Sequence, residues 1–345
     1  MLRQGNGITQ QHQTYSKYFS KPVPCSHQEA TLTVHQSVVT IAVIGDVHDL
    51  WELEDNAALK ELQVDVALFV GDYGNEAVEV VHRIAAVDIP KAAIMGNHDA
   101  YYSASKKGIN NCPYDRTKED WVQLQMDLLG DAHIGFGKRE FPQFGLTVVG
   151  ARPFSWGGSK WRYRKFYRDR FDIQGFEESS ELILTAADEA DQNTIIFLGH
   201  VGPYGLGDRP EDFCGKDWGK NGGGGDYGDP DIEQAIALTQ AAGKHIPLVT
   251  FGHMHHKLKN NKAQLRQRVV TAATGTVYFN AANVPRIEKT STGNQRSFSL
   301  VTLKEGIVES IALIWLNEKF EQISKEFLYT KPATQVDVFR QSKLI

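Results

Sequence analysis

Seven residues of metal-binding type follow short apolar runs in this chain: Asp46 and His48 in GDVH, Asp72 in GDYGNE, Asn97 in GNHD, His200 in GH, and His253 and His255 in GHMH. A glycine precedes the first polar residue each time, at Gly45, Gly71, Gly96, Gly199 and Gly252. Glycine permits the sharp turn and close backbone approach that a crowded site needs. In extended chain, residues two apart point the same way, so Asp46 can converge with His48, and His253 with His255. Carboxylate, imidazole and amide without thiolate suit Zn, Fe, Mn and similar ions, and the missing Cys speaks against a structural zinc site. The set is too large for one ion and about right for two divalent or trivalent ions that share a carboxylate. Such a pair can clamp the attacking and leaving oxygens of an in-line displacement at phosphorus. A lone Gly-Asp or Gly-His is usually a turn. Five in order are hard to obtain as unrelated turns.

The elements that must position these residues repeat. SVVTIAVIGDVH, VDVALFVGDYGN and KAAIMGNHD read as strands separated by helical WELEDNAALKEL and EAVEVVHRIAAV, with 26 residues from Asp46 to Asp72 and 25 from Asp72 to Asn97. That spacing predicts βαβ units and a parallel sheet, whose strand ends are where ligands bind. NTIIFLGHVGP and IPLVTFGHMHH repeat the design, and FGLTVVGA reads as the end of a hairpin. Beyond residue 265, alternating strands predict a second, mostly antiparallel sheet in the same domain. The fold class is therefore α/β, two sheets face to face with helices outside both.

Bulk properties narrow the function. The chain has 345 residues, 41% hydrophobic and 23% charged, enough for a sizeable core. Its net charge of −5 gives no footprint for DNA or RNA, so a nucleic-acid partner is not expected. No apolar run reaches the roughly 20 residues of a membrane helix. Three Cys without paired spacing favour a reducing, cytoplasmic setting. Residues 1–38 read as a mobile tail, with an organelle transit peptide as the alternative. Residues 39–318 read as one domain and 319–345 as a C-terminal appendage. The sequence gives no oligomeric state.

The GDVH, GDYGNE, GNHD, GH and GHMH blocks, in that order over about residues 41–256, resemble those of the calcineurin-like metallophosphoesterases, and VYFNAANVPR resembles the Asn-rich segment after the last block. The resemblance implies a four-layer αββα sandwich of two mixed sheets flanked by helices. It implies that Asp46, His48 and His255 hold one ion, that Asn97, His200 and His253 hold the other, and that Asp72 bridges both. It places His98 outside the metal shell near the leaving oxygen, as proton donor and charge stabiliser, with Asp99 orienting it or, alternatively, capping a helix. The expected reaction is attack of a metal-bridging hydroxide on a phosphate ester, with a small-molecule phosphomonoester as substrate. The alternatives are a nucleotide phosphodiesterase or nuclease of the same fold, and a non-catalytic interaction scaffold. Asn75, Glu76 and Asp99 stand where the Ser/Thr protein phosphatases carry other residues, so that branch is disfavoured.

Two inserts, 155–171 and 204–231, read as neither sheet nor helix and follow strand ends. In the first, Arg162, Tyr163 and Arg164 open a basic-aromatic run suited to a second phosphate or a base. The competing expectation is an amphipathic stretch whose aromatics pack inward. The Gly-rich second insert is a candidate lid or a simple insertion. His256 is expected at the surface, and His82, His133 and His245 in structural roles.

Overall fold

The computed structural model describes residues 38–218, 223–291 and 293–332. The N-terminal tail assigned to 1–38 lies almost wholly outside them, as do 333–345. Thirteen strands are present among the described residues: β1 Val38–Ile44, β2 Val66–Phe69, β3 Lys91–Ala93, β4 Lys138–Phe141, β5 Leu146–Gly150, β6 Thr194–Leu198, β7 His245–Phe251, β8 Val269–Thr271, β9 Val277–Asn280, β10 Ile287–Thr290, β11 Gly293–Lys304, β12 Ile307–Leu316 and β13 Gln322–Thr330. The helices are α1 Leu53–Glu61, α2 Val78–Ala85, α3 Tyr101–Ala104, α4 Lys106–Asn110, α5 Trp121–Leu129, α6 Arg164–Phe171, α7 Phe176–Asp188 and α8 Pro230–Ala241.

The strands form two mixed sheets, ordered β13-β12-β11-β1-β2-β3, with β10 on β11, and β4-β5-β6-β7-β9-β8. β1, β2 and β3 run parallel, as do β5, β6, β7 and β9. Strand parity separates the core into layers. Val39, Ile41 and Val43 of β1, with Leu68 of β2, join one buried cluster with Val148, Phe197 and Val249 of the other sheet. Ala42, Ile44 and Phe69 turn the other way, onto Leu59 of α1 and Val81 and Ile84 of α2. Both faces of these strands are covered, which is why they read as continuous apolar runs. On the second sheet, Ile183 of α7 and Ile232 of α8 supply the helical cover. The result is an α/β fold of two mixed sheets flanked by helices.

Three expectations need correction. The strands after residue 265 do not make a sheet of their own: β8 and β9 extend the second sheet, while β10 to β13 complete the first through antiparallel pairing of β11 with β1. The outer strand of that half of the first sheet, β13, is largely exposed. Nor is the segment from Lys319 wholly an appendage, because β13 pairs with β12 as the outer strand of the first sheet. The run 155–171 contains a helix, α6. No helix among the described residues is long and apolar enough to cross a membrane.

Candidate metal centre

The carboxyl ends of β1, β2, β3, β6 and β7 deliver the seven expected residues to one place. Asp46, His48 and His255 offer ligand atoms within 4.8 Å of one another, as do Asp72, His200 and His253. A third such group, His48, Asp72 and His98, joins the two. The backbone explains the glycines. A Cβ on Gly96 would stand 2.3 Å from Asp72 Oδ1, and one on Gly252 would stand 2.2 Å from Asp46 Oδ1, so only glycine lets these carboxylates in. Three of the seven residues adopt positive φ, His48 at 44°, Asp72 at 53° and His253 at 65°. Non-glycine residues pay for that conformation, and it collects at functional sites.

The site is held by its own backbone. His253 N–H donates to Asp46 Oδ1 at 2.9 Å, and His98 N–H donates to Asp72 Oδ1 at 2.8 Å. Asp46, Asp72, Asn97 and His200 are at most 2% exposed. Burial works to raise the Asp46 carboxyl, but the imidazoles of His255, His200 and His48 outweigh it and hold it well below the usual range. Asp72 is lowered too, against its burial, by His200 and His98. Burial, followed by the nearby His200, depresses His253 to about 3, and burial also lowers His48. His255 goes the other way: burial lowers it, but the Asp46 carboxylate beside it, together with Asp72, outweighs burial and raises it. Ionised Asp46 and Asp72 beside His48 and His253 held toward the neutral form are the protonation states that cation binding requires.

Three contacts test whether these residues fit metal ions. His200 Nδ1 lies 2.8 Å from the Val70 carbonyl, which places the ring proton there and leaves Nε2 as a bare lone pair. That lone pair faces Asn97 Oδ1 at 3.0 Å and Asp72 Oδ1 at 3.3 Å. His48 Nε2 and His255 Nε2 face each other at 3.0 Å. Asp46 Oδ2 is buried with no hydrogen-bond partner, although His255 Nε2 stands 3.2 Å away. The acceptors His200 Nε2, Asn97 Oδ1 and Asp72 Oδ1 repel one another unless positive charge lies between them. The nitrogen and oxygen donor set suits borderline divalent or trivalent ions, so the residues fit the group the sequence implied.

The residues around the seven depart from expectation in part. Asp99 does not orient His98, nor does it cap a helix. Its carboxylate accepts N–H groups of Asp72, Tyr73 and Gly96 at 3.0, 2.8 and 2.7 Å, stitching the β2 and β3 ends together. The partner of His98 is Asn75, whose Oδ1 stands 2.7 Å from Nδ1. Asn75 was visible three residues after Asp72, but an amide in a turn carries no signal of its own. His256 is buried, not exposed, with Nε2 2.9 Å from the Asn280 carbonyl. Its parity does turn it away from His255, but that direction leads inward under β9. Asn280 also donates to the Met254 carbonyl at 2.7 Å, which holds the GHMH turn.

Five of the seven, His48, Asp72, Asn97, His253 and His255, line the floor of a cleft of about 450 Å³, with Trp156, Arg162, Trp218, Tyr227 and Lys259 among its walls. Arg162 is thus beside the floor as expected. Arg164 and Tyr163 instead face a neighbouring cleft with Arg116 and Asp120. Inward packing of the aromatics holds for Tyr167, which is fully buried, while Phe166 packs on Phe154. Trp156 and Trp218 on the inserts and Lys259 after the GHMH turn were missed, because nothing in their local sequence tells which side chains turn toward the floor.

The sequence model of the calcineurin-like phosphoesterases matches residues 39–257. No curated protein matches the chain. Among solved structures, a dimetal phosphatase from Danio rerio is similar over 86% of this chain and 100% of its own, at 12% identity and TM-score 0.45. Purple acid phosphatase PPD1 from yellow lupin is similar over 88% of this chain and 57% of its own, at 13% identity and TM-score 0.44. GAP50, the anchor in the inner membrane complex of Plasmodium, is similar over 89% and 95%, at 11% identity and TM-score 0.43.

Proposed function

This chain belongs to the calcineurin-like phosphoesterase family, and on that premise we propose that it hydrolyses small phosphate monoesters with two metal ions. Asp46, His48 and His255 would hold one ion and Asn97, His200 and His253 the other, with Asp72 between them. The observation that carries the reading is the convergence of the acceptors His200 Nε2, Asn97 Oδ1 and Asp72 Oδ1 at 3.0 to 3.3 Å. When bound, the ions would supply charge for the phosphoryl oxygens and acidify the attacking water.

The chain's own groups do the rest. Asn97 contributes a neutral oxygen, which limits the negative charge gathered beside Asp46 and Asp72. Asn75 Oδ1 accepts the His98 Nδ1 proton, so the second ring nitrogen faces the cleft. A proton on that nitrogen makes the ring cationic, able to stabilise the leaving oxygen and then protonate it. Asp99 keeps the two strand ends at the spacing this needs. A cleft of about 450 Å³ suits a small molecule, and the net charge of −5 works against nucleic acid.

The experiment measures metal content and phosphate release from p-nitrophenyl phosphate and its bis ester after loading with Mn²⁺. About two ions per chain with monoester turnover are expected. Diester turnover alone would replace the reading with a phosphodiesterase. Bound metal without turnover of either ester would point to a scaffold.

A further inference from the structure

The two inserts meet above the metal floor. Gly158 N–H donates to the Tyr227 carbonyl at 2.7 Å, and a Cβ on Gly157 would strike that same carbonyl at 2.3 Å. Arg152 anchors both: its guanidinium holds Asp229 and Asp231 at 2.7 Å each and lies against the rings of Trp161, Tyr167 and Phe176. The wall so built carries flat rings and spare charge. Trp156 lies nearly parallel to the His98 ring, 6.5 Å away at 19°. Trp218 stands against Tyr227 at 5.0 Å. Arg162 makes no hydrogen bond or ion pair among the described residues, and the Lys259 ammonium touches only the Trp218 ring, at 6.0 Å. Asp217, the acid on this wall, is matched by Arg266 at 3.5 Å, both buried.

Aromatic faces beside unmatched cations recognise a flat base and an anion together. We infer that the wall is a subsite for the remainder of the substrate, and that the substrate is a nucleotide carrying a second phosphate besides the one that reacts. The inference rests on the hydrolase reading for where the reacting phosphate sits. The base stacks on Trp218 or Trp156, and Arg162 and Lys259 take the second phosphate. In the reaction, the oxygen of water bonds to phosphorus and the bond from phosphorus to the sugar oxygen breaks. That oxygen takes a proton, and inorganic phosphate and the dephosphorylated nucleotide leave.

The test compares adenosine 3′,5′-bisphosphate, adenosine 5′-monophosphate and glycerol 3-phosphate on the Mn²⁺-loaded full chain. KM should rise in that order, with about tenfold or more between the last two for loss of stacking. Trp218→Ala should raise KM for both nucleotides about tenfold more than for glycerol 3-phosphate, while Trp218→Phe keeps the preference. Arg162→Gln with Lys259→Gln should erase the gap between bisphosphate and monophosphate, about tenfold if charge-assisted bonds make it. A second readout needs no turnover: the bisphosphate should saturably quench tryptophan fluorescence in chelator-treated protein, and less so in Trp218→Ala. Equal KM for the three esters, or no quenching, overturns the subsite. Quenching without hydrolysis of any ester supports the subsite and overturns the hydrolase reading instead.

Discussion

The floor of the cleft and the wall above it are held in place differently. Asp46, Asp72, Asn97, His200 and His253 hang from strands whose side chains are buried on both faces, and their own backbone N–H groups close the site. Trp156, Arg162 and Trp218 sit on the two inserts and Lys259 on the chain after β7. The inserts are joined to each other by the Gly158–Tyr227 backbone bond and tied to the body through Arg152 and Arg266, which donates to the Asp212 and Gly215 carbonyls. A floor fixed by the core can hold charges within ångströms of each other. A wall fixed by a few buried cations and loop hydrogen bonds is free to differ in shape without unsettling the floor.

The sharpest way to break this contrast is Asp72→Asn, which should abolish both metal retention and turnover; full metal content with full activity would remove Asp72 from between the ions. His98→Ala should keep its metal while hydrolysing esters with poor leaving groups roughly 10²–10⁴-fold more slowly, and metal loss there would move His98 into the ligand set. For the wall, Arg152→Met leaves Asp229 and Asp231 buried without their cation, a change that costs roughly 3–5 kcal/mol in buried pairs. Chemical denaturation should show it, and an unaltered midpoint would mean the inserts are anchored elsewhere.

A smaller effect is expected behind the wall, where burial drives His133 down to about 4 and its Nε2 has no hydrogen-bond partner. The folded value lies below the unfolded one, so the stability linked to His133 is present above about 6.5 and is lost as pH falls through about 4. His133→Leu should flatten the fall in melting temperature of metal-free protein across that window, by roughly 3 kcal/mol at most. A variant with the same acid limb would show that His133 is solvated. Smallest of all, Asn75→Ala should lower turnover about 10–100-fold at unchanged metal content, with partial recovery in Asn75→Asp. No change would mean that His98 is oriented by its neighbours Tyr101 and Trp156 alone.

The floor was legible because each ligand is tied to a strong local signal. GDVH, GDYGNE, GNHD, GH and GHMH each end a buried strand, and their glycines stand where a Cβ would strike backbone or, at Gly96 and Gly252, a carboxylate. The paired roles of Asp99 and Asn75 were not legible. Asp99 adjoins His98 in the chain while Asn75 comes from the turn after β2, and only the packing of the β2 and β3 ends sends the carboxylate to three backbone N–H groups and leaves the amide for the imidazole. His256 shows the same limit: parity told that it points away from His255, but not that solvent is absent on that side.

The sequence by itself determined the parallel strand-helix units, the residues at their carboxyl ends and the nitrogen and oxygen character of the donor set, because strand periodicity and side-chain chemistry are local properties. The tertiary structure decided that β10 to β13 complete the first sheet, that Asn75 serves His98, and that the two inserts share one wall. Those outcomes depend on contacts between segments far apart in the chain, whose free energy no single segment carries.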